Sequence, residues 1–101
     1  MVPKPLKIRV PDHIATLIRG MHPQLKRKVR GSLEAMLREP QSGEALKDEL
    51  SGLRSFRVSR FRIIYRIAKG DRIEIVALGP RKRIYEETLR IISKEKSGKK
   101  R

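Results

Sequence analysis

The segment SFRVSRFRIIYRI, residues 55–67, constrains the fold of this chain more than any other stretch. Its apolar residues recur at every second position on either side of Ser59-Arg60, the period of half-buried strands. Two alternating runs separated by two residues predict a hairpin. With that turn, Val58 lies opposite Phe61, Arg57 opposite Arg62, and Phe56 opposite Ile63. Phe56, Val58, Phe61, Ile63, Tyr65 and Ile67 then share the side that meets helices, and Arg57 and Arg62 stand together on the other. Like charges directly opposed on a sheet are destabilising, by about a few tenths of a kcal/mol when exposed. The sign reverses when a phosphate lies between them, because each guanidinium makes charge-assisted, often bidentate bonds to phosphate oxygens. A solvated sheet face carrying arginines for solubility is the other reading of the same pair.

The rest of the chain supplies the layers around this hairpin. LKIRV, residues 6–10, alternates apolar and basic residues and predicts a first strand. Pro11 and Asp12 open a helix with Ile14, Leu17, Ile18 and Met21 on one face. Pro23 starts a second helix from the favoured first-turn position, with Leu25, Val29, Leu33, Met36 and Leu37 inward and the basic run Lys26, Arg27, Lys28 and Arg30 mostly outward. Pro40 ends it, and the short join predicts a helical hairpin. Residues 41–52, the most acidic part of the chain, form a connector with a single helical turn near Glu44–Glu49. Strands are expected at 53–58, 61–68 and 72–78. The last, RIEIVAL, is apolar on both faces, as an interior strand is. Ile84, Tyr85, Thr88, Leu89 and Ile92 mark a closing helix. The expected fold is α+β: a small, mostly antiparallel sheet of about four strands, order β-α-α-β-β-β-α, with helices over one face. One domain spans residues 1–93, and KEKSGKKR, residues 94–101, has the composition of a basic flexible tail.

Charge says what kind of partner to expect. The chain carries 26 Lys and Arg against 11 Asp and Glu, a formal net charge of +15. That imbalance points to a polyanionic or acidic partner. There is no cysteine, which excludes disulfides and thiolate metal sites and fits a reducing compartment. Apolar runs fall well short of the ~20 residues of a membrane span, and MVPKPLKIRV is too polar for a secretory signal. The expected location is cytoplasmic, away from membranes. No metal-spaced carboxylate set appears, and neither a metal nor a cofactor is expected. His13 and His22 begin the two first helices, where structural roles suit them better than a paired-histidine ribonuclease does.

A second cluster, LGPRKRIYEE at 78–87, joins the last strand to the closing helix. Gly79 and Pro80 make a turn, Arg81, Lys82 and Arg83 follow, and basic residues at a helix amino terminus suit an anion. Tyr85, one helical turn on, offers a ring that stacks on an unpaired base. It also fits the apolar stripe of the helix, where it is core.

At these two clusters the chain resembles the RelE/ParE superfamily of toxin–antitoxin toxins, and more closely its RelE branch. LSGLRSFRVSRFRIIYRI matches a family segment of Gly, aromatic, basic residue and then Tyr/Phe-Arg-hydrophobic-hydrophobic-Tyr. ALGPRKRIYEE matches a hydrophobic strand, Gly, a basic cluster and Tyr. The resemblance covers about residues 6–92, with its specific part at 50–86. It implies a ribosome-dependent mRNA endonuclease acting in the ribosomal A site, where it meets mRNA and ribosomal RNA. It also implies an acidic antitoxin that wraps the basic surface in a hetero-oligomer. The family's ribonucleases use 2′-hydroxyl attack on the adjacent phosphate, without metal. Carried over by position, Arg57 stands at a basic residue that helps deprotonate the 2′-hydroxyl, Arg62 at the arginine holding the scissile phosphate, Arg81 at the residue assisting the leaving 5′-oxygen, and Tyr85 at the base-stacking tyrosine. Arg54, Arg60, Lys82, Arg83, Lys26, Arg27 and Arg30 are the expected contacts to RNA or ribosome. Two departures bear on mechanism. Ser59 occupies the spacing of a second family lysine, and Arg57 replaces a lysine. An arginine, with a pKa above about 12, is a poor general base, so transition-state electrostatics carries the expected catalysis.

Two other functions use the same residues. A ParE-like toxin on this fold poisons DNA gyrase and is not a nuclease. A non-catalytic double-stranded-RNA-binding module shares the order helix, three strands, helix. That module would carry its phosphate contacts on the closing helix, where this chain has Glu86 and Glu87.

Overall fold

The computed structural model describes residues 7–99. Strand β1 (Lys7–Arg9) leads into helices α1 (Asp12–Arg19) and α2 (Pro23–Arg38). Then come a two-residue strand β2 (Glu44–Ala45), one 3₁₀ turn at Asp48–Leu50, and strands β3 (Arg54–Val58), β4 (Phe61–Ala68) and β5 (Arg72–Pro80). Helix α3 (Arg81–Lys99) closes the chain. The expected order is present with one addition, β2, which makes the sheet five-stranded in the order β1-β5-β4-β3-β2. β1 runs parallel to β5 and the other pairings are antiparallel. Leu6, the first residue of the expected opening strand, lies outside the described residues.

Local chemistry explains the helix starts. Pro11 caps α1 with its carbonyl, which accepts from the N–H groups of Ile14 and Ala15. His22 caps α2, its Nδ1 accepting from the Gln24 N–H at 3.2 Å, with Pro23 in the first turn. The helix-end role expected for His22 is thus the one it plays.

Helices cover both faces of the sheet, not one. α1 and α2 bury Ile14, Val29 and Met36 against Val58, Ile63, Tyr65, Ile73, Ile75 and Leu78. α3 crosses the opposite face, where Ile84 packs with Leu53, Ile64, Val76 and Ala77. A β-bulge makes the second contact possible. Ile64 pairs with Ala77 but Tyr65 pairs with Ile75, so Val76 is the extra residue on β5. The bulge resets the alternation, giving the α3 face two consecutive small apolar residues and turning Leu78 back to the first core. RIEIVAL is therefore apolar on both faces because both faces are covered.

Two polar anchors hold the elements together. The fully buried Tyr65 donates its hydroxyl to the Pro40 carbonyl at 2.8 Å and accepts from the Gly43 N–H at 2.9 Å. A Cβ on Gly43 would sit 2.5 Å from that oxygen, so only glycine fits. On the α3 face, Arg66 bonds Glu74 through Nε at 2.9 Å and grips Glu95 with both terminal nitrogens at 3.2 and 3.3 Å. The bond to Glu95 raises the Arg66 pKa above its ordinary value, against the opposing effect of burial and with further help from Glu74. Glu95 lies in the segment whose composition suggested a solvated tail from residue 94. Helix α3 runs to Lys99, and Arg66 ties its Glu95 turn to β4. Residues 100 and 101 lie outside the described residues.

Candidate functional site

The hairpin forms in the expected register, with Arg57 opposite Arg62, Val58 opposite Phe61 and Phe56 opposite Ile63. Ser59, the first turn residue, has φ 58°, a left-handed conformation that costs a non-glycine residue free energy and that two-residue hairpin turns require. Across the sheet the row continues from Arg57 through Arg62 to Gly79 on β5. Gly79 is buried, and a Cβ there would meet Ile84 Cδ1 at 3.2 Å. A glycine thus lets the first turn of α3 come down close beside Arg62.

One hydrogen bond then fixes the two basic elements to each other. The Arg81 N–H donates to the Arg60 carbonyl at 3.2 Å, tying the start of α3 to the hairpin tip. The result is a cavity of about 370 Å³ lined by Arg57, Ser59, Arg60, Arg62, Pro80, Arg81 and Lys82. Arg62 is half-buried and the other cations are exposed. Among its described lining residues are four arginines, one lysine and no acidic side chain. Guanidinium forks converging without a counter-charge suit a phosphate or another oxyanion. Among the described residues there is no group of three or more His, Cys, Asp or Glu able to hold a metal ion.

Residues 8–85 match the family of the ParE toxin of type II toxin–antitoxin systems. The chain belongs to the RelE/ParE superfamily of toxins. Solved structures agree on the fold. The RelBE2 toxin–antitoxin complex of Mycobacterium tuberculosis aligns over 77% of this chain and all of its own, at 25% identity and a TM-score of 0.66. The archaeal RelE–RelB complex of Pyrococcus horikoshii aligns over 79% and 99%, at 21% identity and 0.65. A doubly substituted mutant of the E. coli toxin RelE in the free state aligns over 91% and 98%, at 12% identity and 0.68. No curated protein sequence matches the chain.

Of the residues singled out in the sequence of this RelE/ParE toxin, Arg57, Arg60, Arg62, Arg81 and Lys82 come together in the cavity. Tyr85 does not line it. Its ring packs on the α3-side core, and its hydroxyl lies 3.3 Å from Ser55 Oγ. Arg54 is turned the other way, donating Nη1 to the carbonyls of Gln41 and Gly43 at 3.0 and 2.7 Å, so it latches the connector to β3. Arg83 is exposed on α3, Arg27 and Arg30 are exposed on α2, and Lys26 is half-buried there. None of these four lines the cavity. Sequence reasoning missed Pro80 as a wall of the toxin's cavity and gave Ser59 no part in it. It also missed the Arg66–Glu74–Glu95 network. A lone acidic residue in a basic terminal segment, Glu95, was its one available signal. Among the described residues of the toxin no helix is long and apolar enough to cross a membrane.

Proposed function

We propose that this toxin is an endoribonuclease that cleaves mRNA in the ribosomal A site, with one scissile phosphate held among Arg57, Arg62 and Arg81. The observation that carries the reading is the single cavity these three arginines share. The 2′-hydroxyl gives up its proton to solvent and attacks phosphorus, the bond to the 5′-oxygen breaks, and that oxygen takes a proton from solvent, leaving a 2′,3′-cyclic phosphate and a free 5′-hydroxyl. Arg62, the half-buried member, binds the non-bridging oxygens in the ground state. Arg57 and Arg81 gain most in the dianionic phosphorane, where charge builds up towards preplaced donors. The arginines keep their protons, so they act by field and alignment rather than as bases. The ribosome splays the strand so that attack is in line, and no metal is needed.

The formal net charge of +15 supports an acidic antitoxin as the neutralising partner. Two of the similar folds are described as toxin–antitoxin complexes, which supports the same pairing here. A second reading, inhibition of DNA gyrase, is favoured by the ParE description of the matching family.

The deciding experiment maps cuts on mRNA in a purified translation reaction and, in parallel, follows DNA linearised by gyrase. Codon-register cuts that fall roughly 10²–10³-fold in Arg62→Ala and in Arg81→Ala support the nuclease, the loss being that of one oxyanion contact each. Cuts unchanged in both variants overturn the site. Linear DNA without RNA cuts selects the gyrase reading.

A further inference from the structure

The hairpin tip has a second concave side. A cavity of about 240 Å³ adjoins the first, sharing Ser59 and Arg60 with it and adding His22, Gln24, Leu25, Lys28 and Phe61. Leu25 and Lys28 fall three residues apart on one face of α2, with the cap His22 three residues before Leu25 on the same side, and all three line the cavity at the tip. Phe61 leaves the turn on the side opposite Arg62 and is half-buried, while Lys28 is exposed.

We propose that this second cavity is a subsite for the nucleotide next to the scissile linkage, a proposal that rests on the RNA-cleaving reading above. Three features point to single-stranded RNA. Arg60 lines both cavities, so one strand crossing the tip meets a continuous row of cations. Lys28 and Arg60 supply two cations for a backbone phosphate. The exposed ring of His22 and the open edges of Phe61 and Leu25, which otherwise pack on the first core, supply flat and apolar surface, which a base uses through stacking and an acidic peptide side chain does not. The basic run on α2 is then divided: Lys28 faces the strand, whereas Lys26, Arg27 and Arg30 lie away from both cavities. Ser59 lines both cavities at the turn, where the strand would cross from one to the other.

The test uses the full chain and two oligoribonucleotides made uncleavable by a 2′-deoxy sugar at the scissile linkage. One is a dinucleotide that fills the arginine cavity alone. The other is a tetranucleotide that reaches across the tip. Expected is tighter binding of the tetranucleotide by wild type. Lys28→Ala should remove that advantage about fivefold and lower the salt slope of tetranucleotide binding by roughly 0.7, the value for one single-strand phosphate contact. Phe61→Leu, which keeps apolar bulk, should cost the tetranucleotide roughly fivefold or more through lost stacking. Neither variant should alter dinucleotide binding. Equal loss for both lengths, or loss for neither, overturns the subsite. Equal wild-type affinity for both lengths also overturns it while leaving the cleavage reading intact. A wild type that binds neither oligonucleotide overturns the subsite, while the cleavage reading stands or falls on the translation assay above. A Glu-rich peptide weakened by both variants, with RNA unaffected, reassigns the cavity to a protein partner.

Discussion

Replacing Tyr65 by Phe removes one oxygen and strands two backbone groups. In the native fold the hydroxyl donates to the Pro40 carbonyl at 2.8 Å and accepts from the Gly43 N–H at 2.9 Å, and the side chain is fully buried. An unpaired buried N–H costs about 1–3 kcal/mol, and the lost bond to the less buried carbonyl about 0.5–1.5 kcal/mol. The total, about 1.5–4.5 kcal/mol, is a large part of the roughly 5–15 kcal/mol that holds a domain folded. For a chain of this size it lowers Tm by roughly 6–36 °C. Urea titration of Tyr65→Phe should show a lower midpoint with an unchanged slope, because the surface exposed on unfolding is the same. Gly43→Ala completes a cycle. In wild type the new methyl would lie 2.5 Å from the hydroxyl and 2.8 Å from Cε1. In the Tyr65→Phe background the first clash is gone and the second remains, so the alanine penalty should shrink without vanishing. Strictly additive penalties, or a Tyr65→Phe variant within about 0.5 kcal/mol of wild type, refute the double anchor.

Ser59→Gly relieves a left-handed φ of 58° and should be neutral to stabilising by up to about 1 kcal/mol in thermal unfolding. Single-turnover mRNA cleavage should nevertheless slow, since a glycine tip holds Arg57 and Arg62 less firmly. Glu95→Gln removes the negative charge and one of the two oxygens that accept from the Arg66 guanidinium. With both side chains about a third or more exposed, the loss should be about 1 kcal/mol or less. Hydrogen exchange should rise in the last turns of α3 while the β4–β5 amides stay protected.

Much of this fold was legible because its signals are local. The two-residue turn and the alternation around it place Arg57 against Arg62 without any long-range information, and the observed register is that one. The start of α2 at Pro23 is similarly written in its first residues. What escaped is non-local. An apolar stripe on α3 says that the helix packs, but not on which face of the sheet. The answer lies in the Val76 bulge, which periodicity blurs. β2 is two residues long and has no period to detect. Arg54, Arg57, Arg62 and Arg66 look alike in sequence. Their fates diverge because carbonyls at 41 and 43 face one, acidic groups at 74 and 95 face another, and the remaining two line the cavity. Tyr85 satisfied two patterns at once, and its contact with Ser55 is with a residue thirty positions away.

The bond from the Arg81 amide to the Arg60 carbonyl couples the motions of two solvent-facing elements. Thermal displacement of the loop drags the helix start with it, so the spacing between their cations survives fluctuations that would blur two independent arms. Lengthening the loop by even one residue would uncouple them. The shortness of that turn therefore belongs to the anion pocket as much as to the sheet.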